Sequence, residues 1–231
     1  MLAEKFTLPT LTPPGLLNRL RLYSGQYGAV HAVARFASVH VPAIWKAFGP
    51  AVSAPYRERW LKEPGAKLLN LGGGGNAIRG ALTADIDPRA DTYVDVTKRL
   101  PFPDGSIDLI FLEEIIEHID KAQGAALLAE CRRVLKPQGV IHLATPDLDW
   151  LGSGAASGTV PCDLVNDTFY GHGHTYIYTR AALIAALAEA GFSGARHFNY
   201  QDPAAILGFL DSHASRFSHA PELSQYVEAV V

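Results

Sequence analysis

The chain predicts a trimmed, doubly wound, mostly parallel α/β sheet carrying an N-terminal helical extension. Three observations lead there. Short apolar runs of strand length alternate with helical patterns, as in folds built from strand–helix–strand units. Some of those runs, such as "IDLIFL" at 107–112, are almost continuously apolar, as strands buried on both faces must be. The first run, "LLNL", stops abruptly in four glycines, Gly72 to Gly75, before the chain turns towards a second strand.

Taken in order, residues 1–15 hold Pro9, Pro13, Pro14 and Gly15, which predicts an irregular arm. From 16 to 62 helical patterns alternate with breaks at Gly25, Gly28, Pro42, Pro50 and Pro55, so 1–64 is expected to be a helical extension or cap. Strands are expected at 67–71, 82–86 and 92–96, with too few residues between them for full crossover helices. "PFPDGS" is a turn cluster before the strand at 107–112. Over 122–136 the apolar residues Leu127, Leu128, Cys131, Val134 and Leu135 share one helical stripe, and Arg132, Arg133 and Lys136 favour the C-terminal end of its dipole. "KPQG" is expected to close that helix before the strand "VIHLAT". Residues 152–175 are polar and rich in Gly and Ser, without periodicity, and are expected to be a lid or acceptor loop. A helix at 179–190 ends at Gly191, a strand follows at 194–200, and 203–231 is expected to be a tail of one or two amphipathic helices. The core then spans 65–202.

Composition limits the functions open to the chain. Its 231 residues are 48% hydrophobic and 19% charged, enough for one substantial core. A formal net charge of −3 argues against a nucleic-acid partner. The apolar run 28–48 is interrupted by His31, Arg35, His40, Pro42 and Lys46, so no membrane span is expected there. The opening residues lack a charged-then-apolar leader pattern. Cys131 and Cys162 have neither CxxC spacing nor the density of a disulfide framework. A cytoplasmic protein is expected.

The glycines point to a ligand. In doubly wound sheets ligands bind beyond the carboxyl ends of the strands. Glycine there lets backbone N–H groups come close and adopts dihedrals closed to other residues. A flexible turn is the plain alternative, and the next strands weigh against it. Asp85 ends the second strand, where a carboxylate can accept two hydrogen bonds from a ribose diol. Asp95 and Val96 end the third; an acid there can receive an adenine amino group, with Ile86 and Val96 on either side of the ring.

In order and spacing, "LLNLGGGG", "TADIDP", "VDVTKRLPFPDGSIDLIFLEEIIEHI", "ECRRVLKPQGVIHLATPDL" and "GHGHTYIYTRAALIAALAEAGF" resemble the class I S-adenosylmethionine (SAM)-dependent methyltransferases, in particular a small bacterial subgroup of the type 11 kind. The resemblance runs from about 65 to 200 and implies a Rossmann-like fold with SAM as cofactor. It implies that Gly72, Gly73 and Gly74 face the methionyl part of SAM, Asp85 its ribose, and Asp95 and Val96 its adenine. Asn70, Ile86 and Glu113 complete the expected cofactor set. Two positions depart from the pattern: Asn70 stands where the family often has an acid, and Gly73 where many members have cysteine or alanine. A nicotinamide site competes at the level of fold. However, its third fingerprint position falls on Ala77, and no full crossover helix fits before Asp85.

Methyl transfer needs an aligned acceptor and, for a hydroxyl or amine, a group to take its proton. Candidates are Glu114 and His118 in "EEIIEHID", and His172 and His174 in "FYGHGHTYIY". Family members use the Glu117–His118 pair mainly as scaffold, and Glu114 stands where relatives often carry histidine or asparagine. On an extended chain His172 and His174 point to the same side, a spacing open to metal binding. The sequence offers no third ligand and no metal is assigned; a general base or a structural anchor is the competing role. His142 reads as a satisfied core or interface histidine. The expected reaction is O-methylation of a small molecule such as a sugar, with a homo-oligomer through the N-terminal helices as a further expectation. A degenerate SAM-binding interaction module is the alternative, to be told apart by whether the cleft around His118, His172 and His174 is open or plugged by apolar side chains.

Overall fold

Leu68, Leu69 and Leu71 leave no surface exposed, and the strand they form, β1 (Leu68–Leu71), is buried along its whole length. Burying each leucine favours the folded state by about 1.5–3 kcal/mol. The structure is a computed structural model that describes residues 25, 29, 30, 33, 42–217 and 221–231. The chain divides into two units, Met1–Val96 and Thr97–Val231.

In the first unit β1 pairs in parallel with β2 (Ala81–Asp85), and β2 with β3 (Thr92–Tyr93), giving the order β3-β2-β1. The register sets Leu71 beside Ala84 and Asp85 beside Tyr93, so the glycines and the first acid leave the strands at the same end. No helix intervenes between β1 and β2, as the short spacing requires. Helix α1 (Pro42–Lys62) covers β3: Ser53 Oγ accepts from Tyr93 N at 3.0 Å, Arg57 donates to Thr92 Oγ1 at 3.1 Å, and Trp45 packs edge-on against Tyr93. Pro50 and Pro55, expected to break this region, lie inside one continuous helix. Docking against β3 accounts for that. At Gly49 the helix comes so close that a β-carbon would lie 2.8 Å from the Tyr93 ring. The rest of the expected helical extension falls largely outside the described residues.

In the second unit β4 (Ile107–Glu113) runs parallel to β5 (Leu135–Pro146), joined by α2 (Lys121–Val134). Asp120 caps α2 in a reciprocal pair with Gln123, and Leu127, Leu128, Cys131 and Val134 form its buried stripe. "KPQG" does not close the helix. It bulges out of β5, whose pairing jumps from Ile107–Leu135 to Leu109–Val140, with Gln138 in the left-handed region.

Two expectations are corrected. Much of 152–175 is helical rather than a loop: α3 spans Leu148–Ser157 and α4 Cys162–Asn166, followed by a π-turn at 167–171. Asp147 caps α3, and its small residues pack closely; a β-carbon on Gly154 would lie 2.2 Å from Val160. The segment 203–231 is not a helical tail. After α5 (Arg180–Glu189) and β6 (Ser193–Phe198), its described residues form the short α6 (His213–Phe217), 3-10 turns at Gly208–Leu210 and Pro221–Leu223, and then β7 (Ser224–Val230). β7 inserts antiparallel between β5 and β6, giving the order β4-β5-β7-β6. Leu223, Tyr226, Val227 and Val230 have the i, i+3, i+4, i+7 spacing of a helix, but six of the strand's seven residues are buried, so burial on both faces hides the alternation of a strand. Among the described residues no helix is long and apolar enough to cross a membrane.

Candidate active site

The first unit brings the glycine turn to Asp85. Gly72 and Gly74 take φ values of 80° and 53°, which favour glycine. This turn aims the Gly74 N–H at Asp85 Oδ2, 2.8 Å away, while Asp85 Oδ1 accepts from Asp87 N at 2.9 Å. Burial pushes the Asp85 carboxyl above its ordinary range, and the backbone N–H groups of Asp87, Gly74 and Ile86 pull it back only in part. A carboxylate has about four acceptor positions, so the backbone does not use them all. Ile86 next to it is 60% exposed, an uncovered apolar side chain, and Asp95 and Val96 follow β3 half-buried. Asn70 differs from expectation: it is buried, and its amide donates to Asn76 O at 2.8 Å, bracing the loop from beneath.

The second unit brings together segments far apart in sequence. After β4 the chain enters a tight turn at Ile116–His118, and Thr175 N and Tyr176 N both donate to the Glu117 carbonyl, at 2.6 and 3.1 Å. The His118 and His174 rings meet edge-to-face with centroids 4.8 Å apart. His172 lies further out, its ring 5.8 Å from that of His174 and its Nε2 3.2 Å from Asp167. The two histidines are not on an extended chain; Gly173 between them has φ 73°. Glu114, His118, His172, His174 and the fully buried Glu117 line a cavity of about 160 Å³.

The two cavity carboxyls differ in charge. Burial works against ionising Glu114, but the hydrogen bond and charge of His213, with the Ser224 hydroxyl at 2.8 Å, hold it below its ordinary value. Glu117 is pushed well above its ordinary value, first by burial and then by the Glu114 charge. Burial also lowers His118 and His174, leaving both imidazoles neutral near pH 7. Glu114 itself sits at φ 55°, a conformation that costs a non-glycine residue on the order of 1–3 kcal/mol and collects at functional sites.

Residues 69–143 match the family model of a methyltransferase domain. Over 106 residues the chain is 34% identical to a probable S-adenosylmethionine-dependent methyltransferase of Mycolicibacterium smegmatis, an alignment covering 46% of this chain. It spans only 36% of that curated relative's length. Over these residues the chain is similar to class I SAM-dependent methyltransferases. Solved methyltransferases share its Rossmann-like fold. One from Archaeoglobus fulgidus superposes with a TM-score of 0.51 at 12% identity, over 91% of this chain and 99% of that one. The phosphoethanolamine N-methyltransferase 2 of Haemonchus contortus, solved with S-adenosyl-L-methionine, gives 0.50 at 14% identity, over 91% and 59%.

Glu113 is not presented to a ligand. Its carboxylate accepts from Ser212 N at 2.7 Å and Ser212 Oγ at 2.8 Å and pairs with Arg216, fastening the 212–216 segment. His142 is a satisfied core histidine, as expected, between Asp211 at 2.6 Å and Glu228 at 3.1 Å. Tyr178 is core and Tyr170 is 81% exposed. Sequence reasoning missed His213, which lines the cavity and contacts Glu114. Its only signal was the histidine itself, since nothing local ties residue 213 to residue 114.

Proposed function

We propose that the chain is an active SAM-dependent methyltransferase that O-methylates a small hydroxylated metabolite, such as a sugar. The observation that carries the cofactor half is the Gly74 N–H donated to Asp85, which joins the glycine loop to the acid at the strand ends. Gly72, Gly73, Gly74, Asp85, Ile86, Asp95 and Val96 fit an adenosyl ligand: bare backbone, a part-used carboxylate and an uncovered apolar face. Asn70 and Glu113 drop out of direct contact. Bound there, SAM supplies an electrophilic methyl group on a sulfonium.

The acceptor half of the reading rests on the histidine–glutamate cavity. It is not filled by its apolar lining, Pro146 and Leu223, and Glu114, His118 and His174 reach it, which favours a catalyst over a degenerate binding module. Neutral imidazoles are suited to receiving a hydroxyl proton, and the Glu114 charge beside them favours the imidazolium that results. Its size fits a small acceptor group, and the chain's net charge of −3 favours neither nucleic acid nor an anionic membrane surface. Assembly through the N-terminal helices concerns residues mostly outside those described.

The test is calorimetric titration with SAM, S-adenosylhomocysteine and NAD, followed by an acceptor screen. Micromolar binding of both adenosyl ligands without NAD binding supports the reading. Silence from SAM overturns it.

A further inference from the structure

Glu117, His118 and His174 converge more closely than a general-base reading needs. One donor atom from each lies within 4.8 Å of the other two, and His118 Nε2 is 3.8 Å from Glu117 Oε1. Glu117 is completely buried. Its Oε2 accepts from Thr145 Oγ1 at 2.9 Å, but its Oε1 has no hydrogen-bond partner, and neither does the buried Nδ1 of His174. Buried polar atoms are almost always paired, and leaving one orphaned costs about 1–3 kcal/mol. Both orphans belong to residues of this three-residue cluster.

We propose that Glu117, His118 and His174 bind a single divalent transition-metal ion. Two imidazoles and one carboxylate suit Zn²⁺, Fe²⁺ or Mn²⁺ and leave coordination positions open; Mg²⁺ and Ca²⁺ prefer oxygen alone. A tetrahedral ion with bonds near 2.1 Å sets its ligands about 3.4 Å apart, so small side-chain rotations close the cluster. The surroundings are those of a ligand shell. Thr145 holds the far carboxylate oxygen, and the backbone carbonyls of Gly173 and Thr168 interact with the His118 and His174 rings, fixing their orientation. Glu114 adds negative charge beside the site. In the methyl-transfer reading the open positions take the acceptor's oxygen; metal binding itself does not depend on that reading.

The test uses the tag-free full chain, stripped by a chelator, without SAM. It is titrated with Co²⁺, followed by visible absorption, and with Zn²⁺ by calorimetry. One ion per chain is expected. His118→Ala, His174→Ala and Glu117→Gln should each weaken affinity at least about tenfold, since even indirect supports of a metal ligand are worth that much. Circular dichroism shows which variants fold. If Glu117→Gln does not, the half-exposed His174→Ala decides. No stoichiometric ion on the wild type, or undiminished binding by folded His174→Ala, overturns the proposal whatever the outcome with SAM.

Discussion

The side-chain amide of Asn70 occupies the space that a β-carbon on residue 73 would need. A methyl group built on Gly73 would lie 2.2 Å from Asn70 Nδ2. The two departures from the family pattern, an amide for an acid and a glycine for a cysteine or alanine, are therefore one steric arrangement. Gly73→Ala should displace Asn70 from Asn76 O, lower stability by about 1–3 kcal/mol and weaken SAM binding. Asn70→Ser should restore part of both in the double variant. A double-mutant cycle by thermal melting checks this; strictly additive losses would mean the two residues are independent.

Asp85→Ala should weaken SAM binding by about 2–3 kcal/mol, the worth of the charged hydrogen bonds it would make. Wild-type affinity should also depend on pH. Because burial raises this carboxyl above 3.8, affinity should be constant near neutrality and fall with acidification before an ordinary aspartate would protonate. Isothermal titration across that range measures it, and a flat profile would remove Asp85 from the ribose.

His142 should make stability fall in alkali. Burial by itself lowers this imidazole, but Asp211 and Glu228 outweigh it and raise the group to about 9. Its folded value lies above its unfolded value of 6.5, so the contribution is complete below 6.5 and disappears as pH rises to about 9. The loss amounts to about 3 kcal/mol. His142→Phe should abolish that pH dependence and cost about 3–5 kcal/mol at neutral pH by leaving two buried carboxylates uncompensated. Denaturant melts between pH 6 and 10 read both effects.

His174→Ala should slow turnover about a hundredfold or more while SAM affinity stays constant. Steady-state kinetics beside calorimetry separate the two quantities. Normal turnover would make His174 an anchor for the 172–176 segment.

The sequence exposes what depends on local chemistry. Four glycines after an apolar run, an acid at the next strand end and two histidine-bearing segments stand out in the sequence. Hidden were features decided by distant partners. Glu113 looks like a ligand group until Ser212 and Arg216 arrive from the far end of the chain. Residues 152–157 look like a loop because glycine and serine are weak helix formers, yet they continue the helix that Asp147 caps, and Val160 needs Gly154 bare. Glu117 has no unpaired oxygen on paper; only the fold shows what surrounds it.

The placement of β7 also sets an order of events during synthesis. Ser193–Phe198 is an edge strand whose neighbour in the sheet is Ser224–Val230, and that segment is also the partner on the open side of β5. Until those late residues leave the ribosome, β5 keeps a bare, apolar edge and β6 has nothing to join. Glu114 likewise waits for Ser224 and His213. The nascent chain can therefore complete the glycine-loop strands well before its histidine–glutamate cavity exists, so a stalled or clipped product would carry an exposed sheet edge and an incomplete cavity.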